Sequence, residues 1–575
     1  MPKAINNVPS NLKMKKNQSS FYMTAKTLFP EQIGSNKSAT LFKFGLDELK
    51  KASKISNTPW ISLKEHPSES KNKKVFNTIP EEGFPKEKVI KDAIELFFDG
   101  VPNWRSPELQ YNICAPVNIT SQALLSLAQE LNIHNINNDF AGNCLLAEKL
   151  ISGMMADLIS LKREKVKALF SFGGTASNLY AMKLAINKNI PNVGKTGIPS
   201  NVYMMITSSA HFSHKTVADW LGIGVDRLII IDADEENRSI PFDAEKKARS
   251  IIEKGGIIAG ISLNGGPFYD FVIDDVAEFV KLRSKLIKDY NLSYTPHIHV
   301  DSVIGWIWLM FNNYNFRKNP LNIPKDVLSL IEKQFNRAYK IRLADSWGVD
   351  FHKAFGGCPV PCGLFVSNNG YELFLLSKSH RGICDTHHLG GDWSIDDPSD
   401  ITLETSRSAG SALAALGSLL TMGKNGFRNF LANQITATKS FRDKIKDTPF
   451  IVGNPKSLGF NTMIVISPEE IAGGKKQNWE SFLSLVKNDE KLLTKLNERL
   501  KLFYEWCFKG NDDYSQRLGC SFSRSFHKTK SGKTISGLKY CFVSPHTTRG
   551  TIKKEIKKLK EKFKKFSKKA KDESK

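Results

Sequence analysis

The strongest constraint on the fold is a regular alternation of short apolar runs and longer helical stretches through the middle of the chain. Each run ends at turn residues, a pattern typical of a mainly parallel sheet covered by helices on both faces. Such a sheet binds its ligand at the carboxyl ends of its strands, so the residues just after each run are the candidates for chemistry. The predicted strands are 166–171, 202–207, 228–231, 257–262 and 297–300.

The regions on either side of this alternation have other patterns. From about residue 431, strand-like runs lie between charged helices, which predicts a smaller α+β domain. The expected organisation is a basic N-terminal extension (1–75), a helical segment (76–162), a large sheet domain (163–430), a small C-terminal domain (431–550) and a Lys-rich amphipathic helix (551–575). The apolar stripe of that last helix is expected to pack on the small domain rather than to enter a membrane. Its members are Ile552, Ile556, Leu559, Phe563 and Phe566.

The positive charge of the chain is concentrated at its two ends. The net charge is +24, of which residues 1–75 carry +9 and residues 551–575 carry +8. Solvated tails are the simplest explanation of such charge runs. Contact of these ends with an anionic membrane is the less favoured alternative, and no specific nucleic-acid partner is predicted.

Composition excludes several classes of protein. No run of eighteen uncharged apolar residues is present, so no membrane span is expected, and the first residues lack the apolar core of a secretory signal. The eight cysteines include no CxxC pair, which argues against a disulfide framework and against a metal site. A reducing, cytoplasmic setting is therefore expected.

Two strand ends carry residues suited to a flat, anionic ligand. After the first strand, Gly173 and Gly174 allow a tight turn, and the small residues that follow would offer amides and hydroxyls to a phosphate at a helix start. After the second strand, His211 could stack on a ring. Each feature alone is more often an ordinary turn or a loop histidine.

Two further strand ends supply charge. Asp301 ends the last apolar strand, where a buried carboxylate needs a cationic partner, either a salt bridge or a protonated pyridine nitrogen. Lys353 follows His352 in a segment rich in glycine and proline and is a candidate imine-forming amine. The order of glycine turn, histidine, aspartate and His-Lys pair matches a site for pyridoxal 5'-phosphate (PLP).

These motifs resemble those of the group II PLP-dependent decarboxylases, the family of glutamate, aromatic amino-acid, tyrosine and cysteine-sulfinate decarboxylases, over about residues 100–550. The stretch from Ala344 to Lys353 resembles the lysine signature, the most specific motif of the family. The resemblance implies PLP contacts from Gly174, Thr175, Ala176, Ser177, His211, Asp301, Asp350, His352 and Lys353. It implies catalytic roles for Lys353, His211, Asp301 and His388, and substrate contacts from Tyr111, Asn112 and Arg407.

The resemblance also implies an architecture. The family has the α/β fold of PLP-dependent transferases of fold type I, with a large PLP-binding domain and a small C-terminal α+β domain. It forms homodimers whose active sites lie at the subunit interface, and an N-terminal helical segment clasps the partner.

Two departures from the family bear on the reaction. The stretch that corresponds to the mobile loop contains His388 but lacks the usual tyrosine that returns a proton to the substrate, so His388 is the candidate acid. After Asp301, residues 302–306 are bulkier than in relatives, and Trp306 is expected to narrow the pocket.

The predicted activity is that of a PLP-dependent carboxy-lyase, which converts an L-amino acid to the amine and CO2. Tyr111 and Trp306 favour an aromatic, tyrosine-like substrate, whereas Arg407 would suit an acidic one, glutamate-like or aspartate-like. The sequence leans towards the aromatic substrate. Two alternatives stay open: an aldehyde synthase or carbon–carbon lyase on the same scaffold, and a catalytically weak scaffold whose basic ends bind anionic surfaces.

Overall fold

The computed structural model describes most of the chain in two compact units. The described residues are 28–29, 35–53, 58–64, 79–114, 116–266, 269–383, 397–473, 477–509, 514, 517–529 and 532–572. The described residues of the first unit (Met1–Ser56 with Leu63–Asp99) include the helices α1 (Asn36–Ala52) and α2 (Lys86–Phe97). They pack closely where Gly45 faces Ile90. The second unit (Asn57–Ser62 with Gly100–Lys575) contains both sheets.

The large sheet has seven strands in the order β1-β7-β6-β5-β4-β2-β3. β7 runs antiparallel to β1 and to β6, and the other neighbouring pairs are parallel. This arrangement confirms the predicted α/β class. The strands are β1 (Lys167–Ser171), β2 (Val202–Thr207), β3 (Leu228–Ile231), β4 (Ile257–Asn264), β5 (His297–Asp301), β6 (Ser346–Asp350) and β7 (Gly363–Ser367).

Helices surround this sheet, and they bury apolar side chains between themselves and the strands. The last of them is broken at Gly423, whose φ of 55° lies in the left-handed region that glycine tolerates. The helices of eight or more residues are α3 (Ile119–Glu130), α4 (Leu146–Leu158), α5 (Gly174–Asn189), α6 (Ser213–Trp220), α7 (Pro241–Ile252), α8 (Val276–Tyr290), α9 (Lys325–Ala338) and α10 (Gly410–Ile445).

The C-terminal part has its own sheet and its own apolar core. The sheet is antiparallel, in the order β10-β11-β9-β8, and is built from β8 (Phe450–Val452), β9 (Asn461–Ile466), β10 (Ser521–Lys528) and β11 (Thr534–Cys541). The core also takes side chains from α11 (Trp479–Asn488), α12 (Glu490–Lys509) and α13 (Arg549–Asp572). All five apolar residues of the predicted stripe on α13 are buried in this core. None of the described helices combines the length and the apolar character needed to cross a membrane.

Helix α13 also buries a carboxyl group. Glu555 is only 2% exposed, and burial raises its pKa from 4.5 to about 7. The folded protein thus holds this proton more tightly than the unfolded chain does. The stabilisation that results is complete below pH 4.5 and is lost as the pH rises through about 7.

We therefore expect Glu555→Gln to flatten the decline of the melting temperature between about pH 5 and pH 8. Burial also raises the pKa of Asp274, to about 6, so Asp274 likewise makes the protein less stable as the pH rises. The contribution of Glu555 is therefore the difference between the wild-type and variant profiles in a thermal melt. Glu561→Gln, at an exposed position of the same helix, is the control and should leave the profile unchanged. Parallel profiles for wild type and Glu555→Gln would contradict the assignment.

Candidate active site

A single helix connects three of the four predicted strand ends. Asn178 on α5 donates through Nδ2 to Asp301 Oδ2 at 3.2 Å and to Ser213 Oγ at 3.1 Å. Ser213 Oγ lies 2.8 Å from His211 Nδ1. The start of α5 at Gly174 is thereby fixed relative to Asp301 and His211, as a common ligand would require.

The glycine turn leaves room for only hydrogen at two positions. A Cβ at Gly174 would lie 2.9 Å from Val303 Cγ1 and 3.0 Å from Asp350 Oδ2, and a Cβ at Gly363 would lie 2.4 Å from Gly173 Cα. Gly173 has a φ of 130°, which a residue with a side chain rarely adopts. The backbone can therefore approach a ligand closely at the N-terminus of α5, where amides and the helix dipole favour an anion.

Two of the predicted phosphate-binding hydroxyls differ in their surroundings. Ser177 Oγ is buried and donates to the carbonyl oxygen of Leu364 at 3.1 Å. The Thr175 side chain, two residues earlier in the chain, is exposed. Thr175 is thus better placed than Ser177 to meet a phosphate, and the backbone amides at the start of α5 complete the candidate site.

Lys353 lies beside a fully buried carboxylate. Its Nζ is 2.7 Å from Asp350 Oδ2, and the Asp350 side chain has no exposed surface, while 23% of the Lys353 side chain is exposed. The His352 ring is oriented by Cys362, whose carbonyl oxygen lies 3.1 Å from Nδ1 of His352. The amine is therefore held at the edge of the glycine turn and remains reachable.

Asp301 keeps its charge although it is buried. Burial raises its pKa, but His214, the hydrogen bond from Asn178 and His299 outweigh that effect, and the pKa lies below its usual value. Asp301 Oδ1 accepts no hydrogen bond from the described residues. An ionised, buried carboxylate oxygen that lacks a donor suits the protonated ring nitrogen of PLP, so the residues present fit this cofactor.

Burial lowers the pKa values of three histidines in this region, His211, His297 and His299. Burial lowers the pKa of His211, and the charge of Asp301 only partly offsets this effect. Burial likewise lowers the pKa of His297 to about 4 and that of His299 to about 3. Both of these rings bond to Ser346 Oγ, at 2.7 and 2.8 Å. The flat ring of His211 is suited to stack on a cofactor, while the other two rings connect β5 to β6 through Ser346.

A second buried lysine lies beside the predicted substrate residues. Lys539 on β11 is only 5% exposed, and its Nζ donates to Asn112 Oδ1 at 3.3 Å. Burial lowers its pKa, and the charges of both Lys353 and Lys539 act on Cys114. The sequence analysis missed Lys539, although one lysine inside an otherwise apolar strand is a recognisable signal, since lysines are seldom buried.

The two aromatic residues that favoured an aromatic substrate have partners within the protein. Tyr111 packs edge-on against Trp60, with ring centroids 5.0 Å apart. Trp306 is buried in the core, where it packs against Phe351 and Phe427. The expectation that Trp306 narrows the pocket is therefore not what the structure shows. Within that segment, Val303 is the residue that reaches the glycine turn.

Arg407 forms a buried ion pair. Its Nη2 donates to Glu148 Oε1 and Oε2 at 2.9 and 3.0 Å and to the carbonyl oxygen of Phe170 at 3.0 Å. Only 5–6% of either side chain is exposed. The substrate contact of Arg407 stays a prediction, whereas the contacts shown connect α4, β1 and the segment before α10. His388 lies outside the described residues.

If Arg407 is structural, breaking the pair will cost stability. Glu148→Gln should leave a buried guanidinium without its counter-charge and lower the free energy of unfolding by about 3–5 kcal/mol, measured by urea denaturation. Asp157→Asn, which breaks the exposed pair with Arg163, is the matched control and should cost less than about 1 kcal/mol. Wild-type stability of Glu148→Gln together with a changed KM would indicate a substrate role instead.

Comparison with known proteins agrees with this geometry. Residues 67–458 match the pyridoxal-dependent decarboxylase conserved domain. The chain therefore belongs to the pyridoxal-dependent decarboxylase family, as its motifs predicted, and the predicted cofactor is the one by which this family is named.

Individual relatives are distant. The chain is 22% identical to acidic amino acid decarboxylase GADL1 of Xenopus tropicalis over 373 residues, an alignment that spans 64% of this chain and 66% of that protein. Mouse CSAD has a similar fold, with a TM-score of 0.72 at 15% identity over 92% of this chain and 99% of the other. Tryptophan decarboxylase of Catharanthus roseus gives a TM-score of 0.68 at 14% identity, over 93% and 99% of the two chains. The predicted fold type I is thus confirmed, and the fold by itself does not distinguish substrates.

Proposed function

We propose that this protein is a PLP-dependent carboxy-lyase that converts an L-amino acid to the amine and CO2. The observation that carries the proposal is the ionised Asp301, buried with one oxygen lacking a donor and connected through Asn178 to the glycine turn and to His211. Family membership supports the same reaction.

Different residues of the site would hold different parts of the cofactor. PLP, when bound, supplies an electron sink for the bond that breaks at the α-carbon. Lys353 is the amine that would hold its aldehyde, Asp301 the acceptor for its ring nitrogen, and His211 the ring that stacks on it. Thr175 and the amides at the start of α5 would hold the phosphate. His388 remains the proposed acid that returns a proton to the substrate.

Cofactor attachment can be tested without a substrate. Purified protein with added PLP should show a visible absorption band, and sodium borohydride should fix the cofactor onto Lys353, as detected by peptide mass spectrometry. Lys353→Ala should lack both signals while its circular dichroism melt stays close to wild type. A wild-type protein with no band in excess cofactor would overturn the proposed activity.

For the substrate we now favour an acidic amino acid over the aromatic one to which the sequence leaned. Tyr111 and Trp306 have structural partners that account for their rings. Lys539 adds a buried cation beside Asn112, where it can meet a carboxylate of the substrate. One relative, 22% identical over 373 residues, acts on acidic amino acids according to its name.

A substrate panel separates the alternatives. We expect CO2 release from glutamate, aspartate or cysteine sulfinate to exceed that from tyrosine or tryptophan by about tenfold or more in kcat/KM, which corresponds to about 1.4 kcal/mol. The amine should form in equal amount with CO2. The reverse preference would restore the aromatic substrate, and aldehyde with ammonia would establish the aldehyde-synthase alternative.

The homodimer and the cytoplasmic location also remain proposals. Apolar side chains that flank the site are exposed in the single chain, namely Phe172, Phe212 and Leu403, which supports a partner subunit at that edge. All seven cysteines among the described residues are free thiols, which supports a reducing compartment.

A further inference from the structure

The outer face of α13 carries a row of exposed lysines that the proposed reaction does not use. We define this lysine face by Lys553, Lys557, Lys560, Lys564, Lys565 and Lys568, all of which are exposed. Five of them recur every three to four residues and so lie on one side of the helix, while Lys565 directly follows Lys564 at the edge of that side. Residues 553–568 cover about 24 Å of the helix, so the row forms an extended strip of positive charge.

Little negative charge offsets this strip. Among the described residues, the only ion pair made by these six lysines joins Lys557 to Glu561 at 3.9 Å. Both of those side chains are more than half exposed, so the pair contributes little. The other glutamate of the helix, Glu555, is buried on the opposite side.

The opposite face of α13 is fully used within the protein. The apolar residues of the helix pack in the small-domain core against α12 and the sheet. The helix therefore cannot insert its apolar face into a lipid bilayer while the C-terminal part stays folded. Any partner of the lysine face must be bound by charge alone, at the surface.

The chemistry of the lysine face indicates the kind of partner. Lysine ammonium groups are hydrated point charges that lack the fork geometry with which arginine grips individual phosphates. The exposed side of the helix also carries no aromatic ring on which a base could stack, because Phe563 and Phe566 are buried. A straight strip of point charges suits a flat field of anionic headgroups better than it suits the grooves or bases of a nucleic acid.

We propose that the lysine face of α13 adsorbs this protein reversibly onto bilayers that contain anionic lipids. Each lysine near such a surface increases partitioning by roughly fivefold at physiological ionic strength. Binding should be sensitive to salt, because exposed charges are screened within a Debye length of about 8 Å. The proposal is independent of the reaction assigned above.

The test uses the full chain and vesicle sedimentation. We expect the protein to bind vesicles of phosphatidylcholine with about 30% phosphatidylserine in about 0.1 M salt, and not to bind pure phosphatidylcholine. Replacing Lys557, Lys560 and Lys564 together by Gln should reduce partitioning roughly a hundredfold. The matched control replaces three exposed lysines of the large domain by Gln, namely Lys246, Lys254 and Lys288, and should bind nearly as well as wild type.

Three results would overturn the proposal. The first is a wild-type protein that stays in solution with the anionic vesicles. The second is an α13 variant that loses no more binding than the control variant, which would assign adsorption to other basic residues such as the N-terminal extension. The third is wild-type binding to an RNA oligonucleotide that the α13 variant loses while it keeps vesicle binding. Melting temperature and the PLP absorption band of both variants should match wild type, which separates loss of the surface from loss of the fold.

Discussion

A carboxylate that stays ionised inside a buried parallel sheet is the constraint on which the site depends. Moving such a group from water into an apolar interior is costly unless nearby groups stabilise the charge. At Asp301 the stabilisation comes from Asn178 and from His214 and His299. Within the described part of the chain, these contacts leave one oxygen of Asp301 without a hydrogen-bond donor. The Asp301 carboxylate at the end of this strand can therefore accept a further hydrogen bond, and the protonated ring nitrogen of PLP would supply it.

Asp350, at the end of the neighbouring strand β6, is a second buried carboxylate. Its carboxylate is enclosed by the glycine turn, and its close cation is Lys353. The glycines at 173, 174 and 363 thus serve two purposes, since they open the helix start to an anion and also make room for the carboxylate. A larger residue at Gly174 or Gly363 would press on Asp350, and through it on the amine, before any cofactor was bound.

The order of motifs allowed the fold class and the principal charged residues to be predicted from the sequence. Strands β1 to β5 were predicted because strands buried on both faces form continuous apolar runs. Strands β6 and β7 were missed because Ser346–Asp350 and Gly363–Ser367 contain glycine and serine, which weaken their apolar character. The roles of Asn178 and Lys539 depend on contacts between residues far apart in sequence, 123 and 427 positions respectively. Such contacts leave no periodic pattern to detect.

The aromatic and arginine side chains show why residue type alone does not decide between substrates. Trp306 and Arg407 have the chemistry expected of pocket residues, yet the structure uses one to fill the core and the other to neutralise Glu148. A large ring or a guanidinium can stabilise a buried core as well as bind a ligand, and only its neighbouring residues show which of the two it does.

Lys539 illustrates the opposite case. A lysine has little to contribute to the interior of a β-sheet domain, where burial lowers its pKa and destabilises its charge. Its position beside Asn112, a predicted substrate residue, fits the proposed contact with an anionic group of the substrate. A buried lysine is in this sense more informative about specificity than a buried tryptophan.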